Sequence, residues 1–344
     1  MRFSMNRLWI MGLLWVIPPI VTAQSVSERV DALMTAKHQS GAFNGTVLVA
    51  VDGNIKYQKA LGVAEQNRPL EKGTRFYLGS LSKAFTGMGM MLLAEDGKIS
   101  FDDQVNTHLP ELPQLTQDIT IRNLLNHTSG LPDYYDSGKY VDGMTNQMVL
   151  NFIQELESLE FAPGAQYAYS NTGYVLLSLL LEQVSGKTFR EFVAERIFRP
   201  LGMSHSEVVD GTQPEMPLRA RGHTATGKID DYKAFTTGAG GIFSQLDDLY
   251  LWDQALYSGQ LVKKKTLKQA FTAAQLNDGT LSYYGFGWRL NQENPEVVEH
   301  SGSLVGFRTY LYRDRKNKNT VILLSNFTND VGSIKEEIVR IIGE

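Results

Sequence analysis

Residues 79–87 read GSLSKAFTG, and the way this stretch folds decides the rest of the chain. Residues 76–79 look extended, and from Leu81 the apolar residues recur as Leu81, Phe85, Met88, Met91 and Leu92. That spacing predicts a helix, stopped by Asp96-Gly97. The junction falls at Ser80, and the i, i+3 spacing puts Lys83 on the same face. A helix start also offers unpaired N–H groups and the positive end of a dipole, which favour negative charge developing beside the serine. For Lys83 to take the Ser80 proton it must spend time neutral, and burial pushes a lysine in that direction. Ordinary residue usage supplies about one S-x-x-K by chance in a chain this long. A serine at a helix start is usually only a cap. The pair needs support from elsewhere.

Working outward, residues 26–37 read as a helix, and residues 45–51 and 55–60 as two strands joined through Asp52-Gly53, a hairpin signal. Near the other end, residues 284–290, 297–300, 307–313 and 320–326 read as strands and 331–342 as a helix. Between them lie helix candidates at 119–126, 146–159, 174–184 and 188–196, separated by Gly- and Pro-containing turns. A glycine-rich turn at 238–241 precedes an amphipathic helix over 246–256. The pattern predicts an α/β fold with one sheet built from both chain ends and flanked by helices. On this reading residues 24–100 and 235–344 form the sheet domain, and residues 101–234 an inserted, mostly helical domain.

The chain begins MRFSMNRLWIMGLLWVIPPIVTAQS. Arg2 and Arg7 precede an apolar run over 8–21, and Val21-Thr22-Ala23 supplies small residues before Gln24, the layout of a signal peptide over residues 1–23. The run is short for a membrane span and contains Pro18-Pro19. Removing it takes Arg2 and Arg7 but no acid, moving the net charge from −4 to −6. A mildly acidic exported chain is a poor match for nucleic acid or an anionic membrane surface. With no cysteine, disulfides, thiolate metal sites and lipid attachment through an N-terminal cysteine are excluded. Such usage suits a bacterial periplasm or exterior. No H-E-x-x-H, G-x-S-x-G or dinucleotide loop is present, so no metal or cofactor is expected. The expected partner is a small-molecule or peptide substrate, with no stable membrane insertion after signal removal; oligomeric state is left open.

Two further segments support the pair. Tyr169-Ser170-Asn171 is the only Y-x-N in the chain. A tyrosine hydroxyl near a lysine can shuttle a proton, and an asparagine amide can donate to a substrate carbonyl while accepting from its amide. His300-Ser301-Gly302-Ser303 ends a predicted strand, where glycine lets a substrate backbone lie alongside.

S-x-x-K, then Y-x-N, then [KH]-[ST]-G resembles the class C β-lactamase-like serine hydrolases, a group that includes β-lactamases, D-alanyl-D-alanine carboxypeptidases and esterases. The segments LLNHTSGLPDYY (124–135), GAGGIFSQLDDL (238–249) and YGFGW (284–288) resemble the family's as well. The resemblance implies a β-lactamase/transpeptidase-like fold. It makes Ser80 the acylated nucleophile, Lys83 its base partner and Tyr169 a sharer in the proton work. Asn171 would hold the substrate amide, and His300 and Gly302 would line the strand side of the cleft. The oxyanion would be held by the N–H groups of Ser80 and Ser303.

Histidine stands at 300 where typical class C β-lactamases have lysine, which tilts the reading toward peptidase or esterase chemistry. If His300 binds a substrate carboxylate, affinity should rise as pH falls through roughly 6.5. Arg308 is the alternative cation. A penicillin-binding sensor with little turnover is the rival to a hydrolase.

Overall fold

The computed structural model describes residues 24–212, 216–217 and 219–344, so the signal-peptide reading of residues 1–23 lies outside it. No helix among the described residues is long and apolar enough to cross a membrane. Six strands form an antiparallel sheet in the order Arg289–Leu290, Val297–Leu304, Phe307–Asp314, Asn319–Ser325, Gly45–Val51 and Asn54–Leu61. The two chain ends meet inside it, with Gly45 opposite Ser325 and Ala50 opposite Thr320. Asp52 and Gly53 turn the first hairpin with φ of 52° and 70°. Positive φ at both central residues suits the twist of paired strands, and Asp-Gly tolerates it.

The central strands read as unbroken apolar runs, GTVLVAV and NTVILLS, because both faces of the sheet are covered. Val47, Val49, Val321 and Leu323 pack with Val30 and Met34 of the Val26–Gln39 helix and Ile334 and Ile338 of Val331–Gly343. Their alternate neighbours, Leu48, Ala50, Ile322 and Leu324, join the larger core on the opposite face with Phe85, Met88 and Trp252. The helix predicted from Leu81 opens as a 3₁₀ turn, Gly79–Ser82, and continues as the α-helix Lys83–Glu95. Every residue from Lys83 to Leu93 is buried, so this is the central helix of the core.

The chain between residues 101 and 234 carries the helices Ile121–Leu125, Asn146–Gln154, Asn171–Ser185 and Phe189–Val193. Thr120 with Asn123, and Thr188 with Glu191, form reciprocal caps that start two of them. The helix expected over 146–159 stops at Gln154. A small sheet places Ile242–Ser244 between Phe76–Tyr77 and Glu207–Val208. It sets the residues before Ser80 beside those that follow the glycine turn at 238–241.

Two strand expectations are corrected. Residues 284–290 are not a strand; only Arg289–Leu290 pairs in the main sheet. The glycines of YGFGW serve close backbone packing instead: Gly287 has φ of 83°, and a Cβ there would lie 2.5 Å from the Lys83 carbonyl. The strand expected over 297–300 runs on to Leu304, so His300–Ser303 lies within it.

Candidate active site

Ser80 sits in the 3₁₀ turn, where side chains three apart eclipse one another. Lys83 Nζ lies 3.1 Å from Ser80 Oγ, 2.7 Å from Asn171 Oδ1 and 3.0 Å from the Ala239 carbonyl. A neutral amine has two N–H donors and one lone pair. Two acceptors and one hydroxyl surround this one. Burial pulls Lys83 down to about 7; the Asp133 carboxylate opposes that shift and the Arg289 charge adds to it. The central helix is fixed against the glycine turn by Thr86 as well, whose hydroxyl donates to Gly238 O at 2.7 Å.

Asn171 opens the Asn171–Ser185 helix. Its backbone N–H and its Nδ2 donate to Asp133 Oδ2 at 2.7 and 2.9 Å, while Asp133 Oδ1 accepts the Tyr135 N–H at 2.8 Å. The carboxamide is thereby fixed with Oδ1 toward Lys83. Of the donor and acceptor expected of Asn171 for substrate, the acceptor is committed to Lys83 and one Nδ2–H is left.

Tyr169 lies against the same lysine, with Lys83 Nζ 4.8 Å from its ring centroid. Burial holds the phenol above its ordinary pKa; Ser80 beside it works in the opposite direction and loses. The tyrosine is therefore protonated at neutral pH and available as a donor.

His300 is 1% exposed. Its Nδ1 donates to Ser301 O at 2.7 Å, and the Tyr284 hydroxyl donates to Nε2 at 2.8 Å. A carbonyl can only accept, which fixes this tautomer. Burial, reinforced by the Lys83 charge, holds the imidazole down to about 3. His300 is thus neutral and buried, not a cation for a substrate carboxylate. Gly302 also lies behind the cleft wall: a Cβ there would sit 1.8 Å from Leu78 O, which already accepts the Thr309 hydroxyl at 2.7 Å. Gly79 has φ of 58°, and its Cβ would come 2.9 Å from the Ser303 N. The Ser80 turn is pressed directly onto the strand at Gly302–Ser303.

Ser80, Asn171, Ala239 and Ser303 line a cleft of about 160 Å³ together with Tyr77 and Tyr135. In the main sheet the neighbouring Arg289–Leu290 strand reaches only Val298 and Glu299 of the Val297–Leu304 strand. Residues 301–304 therefore present an edge along which an extended substrate can add. Past Tyr169 a wider groove is lined by Tyr167, Tyr283 and Arg289. The Arg289 guanidinium is exposed and lies 5.6 Å from the Tyr169 ring centroid. Arg308, the cation named from sequence, spends its guanidinium on the carbonyls of Val305 and Phe307 in its own hairpin.

Residues 26–342 match the family model described as Beta-lactamase. The chain belongs to the β-lactamase family. Penicillin-binding protein 4* of Bacillus subtilis (strain 168) is 38% identical to it over 340 residues, covering 89% of this chain and 73% of that protein. Among solved structures, the penicillin-binding protein from Bacillus halodurans superposes with a TM-score of 0.79 at 26% identity, over 90% of this chain and 98% of that one. The D-amino acid amidase from Ochrobactrum anthropi SV3 shares the fold, with a TM-score of 0.75 at 24% identity over 91% and 97% of the two chains. At the family level the chain is a serine hydrolase on the β-lactamase/transpeptidase-like fold that the three motifs imply.

Sequence reading of this β-lactamase-family chain missed Asp133, the Ala239 carbonyl and Arg289. The first two lie in stretches that resemble the family's, and Arg289 directly follows YGFGW, but only the folded chain shows what each touches. Gly302→Ala tests the close approach of turn and strand. The added methyl must displace the Leu78 carbonyl, so the variant is expected to lose about 2 kcal/mol of stability and, with Ser80 shifted, at least about tenfold in kcat. Thermal melting and steady-state kinetics check both.

Proposed function

We propose that this protein is an exported serine hydrolase that forms an acyl-enzyme on Ser80 from an amide or ester: a D-alanyl peptide, a β-lactam or a small ester. The observation that carries this reading is the 3.1 Å contact of Ser80 with a fully buried Lys83 whose pKa is about 7. Neutral Lys83 takes the Ser80 proton as Oγ attacks the substrate carbonyl carbon. The N–H groups of Ser80 and Ser303 face the oxyanion that forms, each such donor contributing on the order of 3 kcal/mol. The C–N or C–O bond then breaks as the Tyr169 phenol protonates the leaving group, and the Lys83 ammonium returns a proton to the tyrosine. Water ends the cycle by the reverse steps. The N-terminal sequence supports export to a periplasm or the exterior, and the relatives, named as penicillin-binding proteins and an amidase, support an amide or lactam substrate.

The test is a panel of nitrocefin, a D-Ala-D-Ala peptide and short-chain nitrophenyl esters, read by stopped flow and intact mass. An adduct mapped to Ser80 followed by steady turnover supports the hydrolase. A stoichiometric burst with no steady phase replaces it with the penicillin-binding sensor, and an adduct on another side chain overturns both.

On this reading Arg289, exposed beside the Tyr169 ring, is the cation that would meet a substrate carboxylate. Arg289→Ala is expected to raise KM about tenfold for a substrate carrying that carboxylate, the worth of one charge-assisted contact. KM for a neutral nitrophenyl ester should change less than about twofold when both are measured on the alkaline plateau of each protein's rate profile. Because His300 stays neutral, it should contribute no step near pH 6.5 to the affinity for the anionic substrate.

A further inference from the structure

A proton carrier is useful only if its hydroxyl is aimed, and Tyr169 sits in a stretch without regular secondary structure ahead of a helix. His127 grips that stretch from both ends. Its backbone carbonyl accepts the Ala168 N–H at 3.0 Å, and its Nδ1 accepts the Ser170 N–H at 3.1 Å. Between these two bonds, its ring centroid lies 4.3 Å from the ring of Tyr169. Residues 168, 169 and 170 are therefore each held by the same side chain or its own peptide. The grip carries backbone strain: His127 has φ of 58°, a left-handed conformation that a residue with a β-carbon adopts only at a cost. His127 is 1% exposed, and acceptance at Nδ1 fixes its proton on Nε2. No hydrogen bond joins its imidazole to Ser80 or Lys83; the ring's hydrogen bond holds Ser170, and the ring packs among Tyr169, Tyr174 and Tyr284.

We propose that His127 is the positioning residue that aims the Tyr169 hydroxyl at Ser80, a role that rests on the acyl-enzyme reading above. His127→Gly isolates the ring. Glycine accepts the positive φ and keeps the carbonyl that holds Ala168, so only the imidazole is lost. Misplacing a catalytic group by about an ångström costs up to about 100-fold, so kcat is expected to fall about 10- to 100-fold with KM within about twofold. Added imidazole, which can occupy the vacated space and accept the Ser170 N–H, should restore a large part of that loss. In a Tyr169→Phe background the same substitution should cost less than about twofold, since no hydroxyl remains to aim.

Equal losses in the two backgrounds, or an unchanged kcat in His127→Gly, overturn the proposal. If circular dichroism shows His127→Gly unfolded, His127→Gln is put through the same cycle and decides by the same criterion. Ser80→Ala, run alongside, separates the two ideas: if it turns over like wild type the acyl-enzyme reading has failed, whereas an inactive Ser80→Ala beside a fully active His127→Gly sinks only the positioning role.

Discussion

Ser80→Ala and Lys83→Met are each expected to lower kcat/KM by at least about 10³-fold, and the double variant to be no slower than the worse single. Nucleophile and base act as a unit, so once either is gone the other has nothing left to contribute. In the wild type the rate should rise with pH through about 7, since below that pH Lys83 is an ammonium and cannot accept the Ser80 proton. Stability supplies an independent check with its own sign. The folded-state pKa lies below the unfolded lysine's 10.5, so between about 7 and 10.5 the unfolded chain holds a proton the folded one has released. Wild-type stability contributed by this group therefore increases with pH across that window. Methionine has no proton to lose and nothing to desolvate. It also leaves the Asn171 Oδ1 and Ala239 O acceptors without their donor, so the definite sign lies in the pH dependence: relative to wild type, Lys83→Met is expected to lose stability as pH rises from about 7 towards 10.5. A folded Lys83→Met protein that keeps more than a tenth of wild-type activity would end the assignment of Lys83 as base.

The parts legible in sequence were those whose geometry is local. Ser80 and Lys83 are three residues apart, and any helical turn brings them together, whether 3₁₀ or α. The Asp52-Gly53 hairpin and the strands of both chain ends were legible for the same reason, since turn chemistry and apolar runs are local properties. What failed depended on partners far along the chain. The alternation of YGFGW resembles a strand, but Gly285 and Gly287 are there to let backbone meet backbone: a Cβ at 285 would lie 1.9 Å from Ala270 O. His300-Ser301-Gly302 resembles the end of a strand because glycine weakens strands in general. Here glycine is needed inside one, where the Leu78 carbonyl takes the space of a side chain. The charge of His300 could not be read either, since it depends on burial and on the Lys83 charge beside it. Asp133 follows a proline in a loop, and only the fold brings residue 171 to it.

Asp133→Asn should then reveal how much of the site rests on one carboxylate. Plateau kcat is expected to fall by about 100-fold, because the replacement cannot satisfy the donors that Asp133 now serves. Oδ2 takes two N–H groups of Asn171 and Oδ1 takes the Tyr135 N–H. A carboxamide has one acceptor end. Whichever way it turns, an NH₂ faces a donor in a site that is 8% exposed, a mismatch costing about 1–3 kcal/mol. With that anchor lost, the Asn171 amide is free to rotate and present Nδ2 to Lys83, removing the acceptor 2.7 Å from Nζ. A second consequence has a definite direction. The Asp133 charge raises the Lys83 pKa against the pull of burial, so removing it lets the pKa fall further and moves the acid limb of the rate profile to lower pH. Arg289→Ala removes a charge that lowers the same pKa and should move that limb to higher pH. Opposite displacements in the two variants, read from kcat/KM against pH on a neutral ester, tie the limb to Lys83. Displacements in the same direction would assign it to another group.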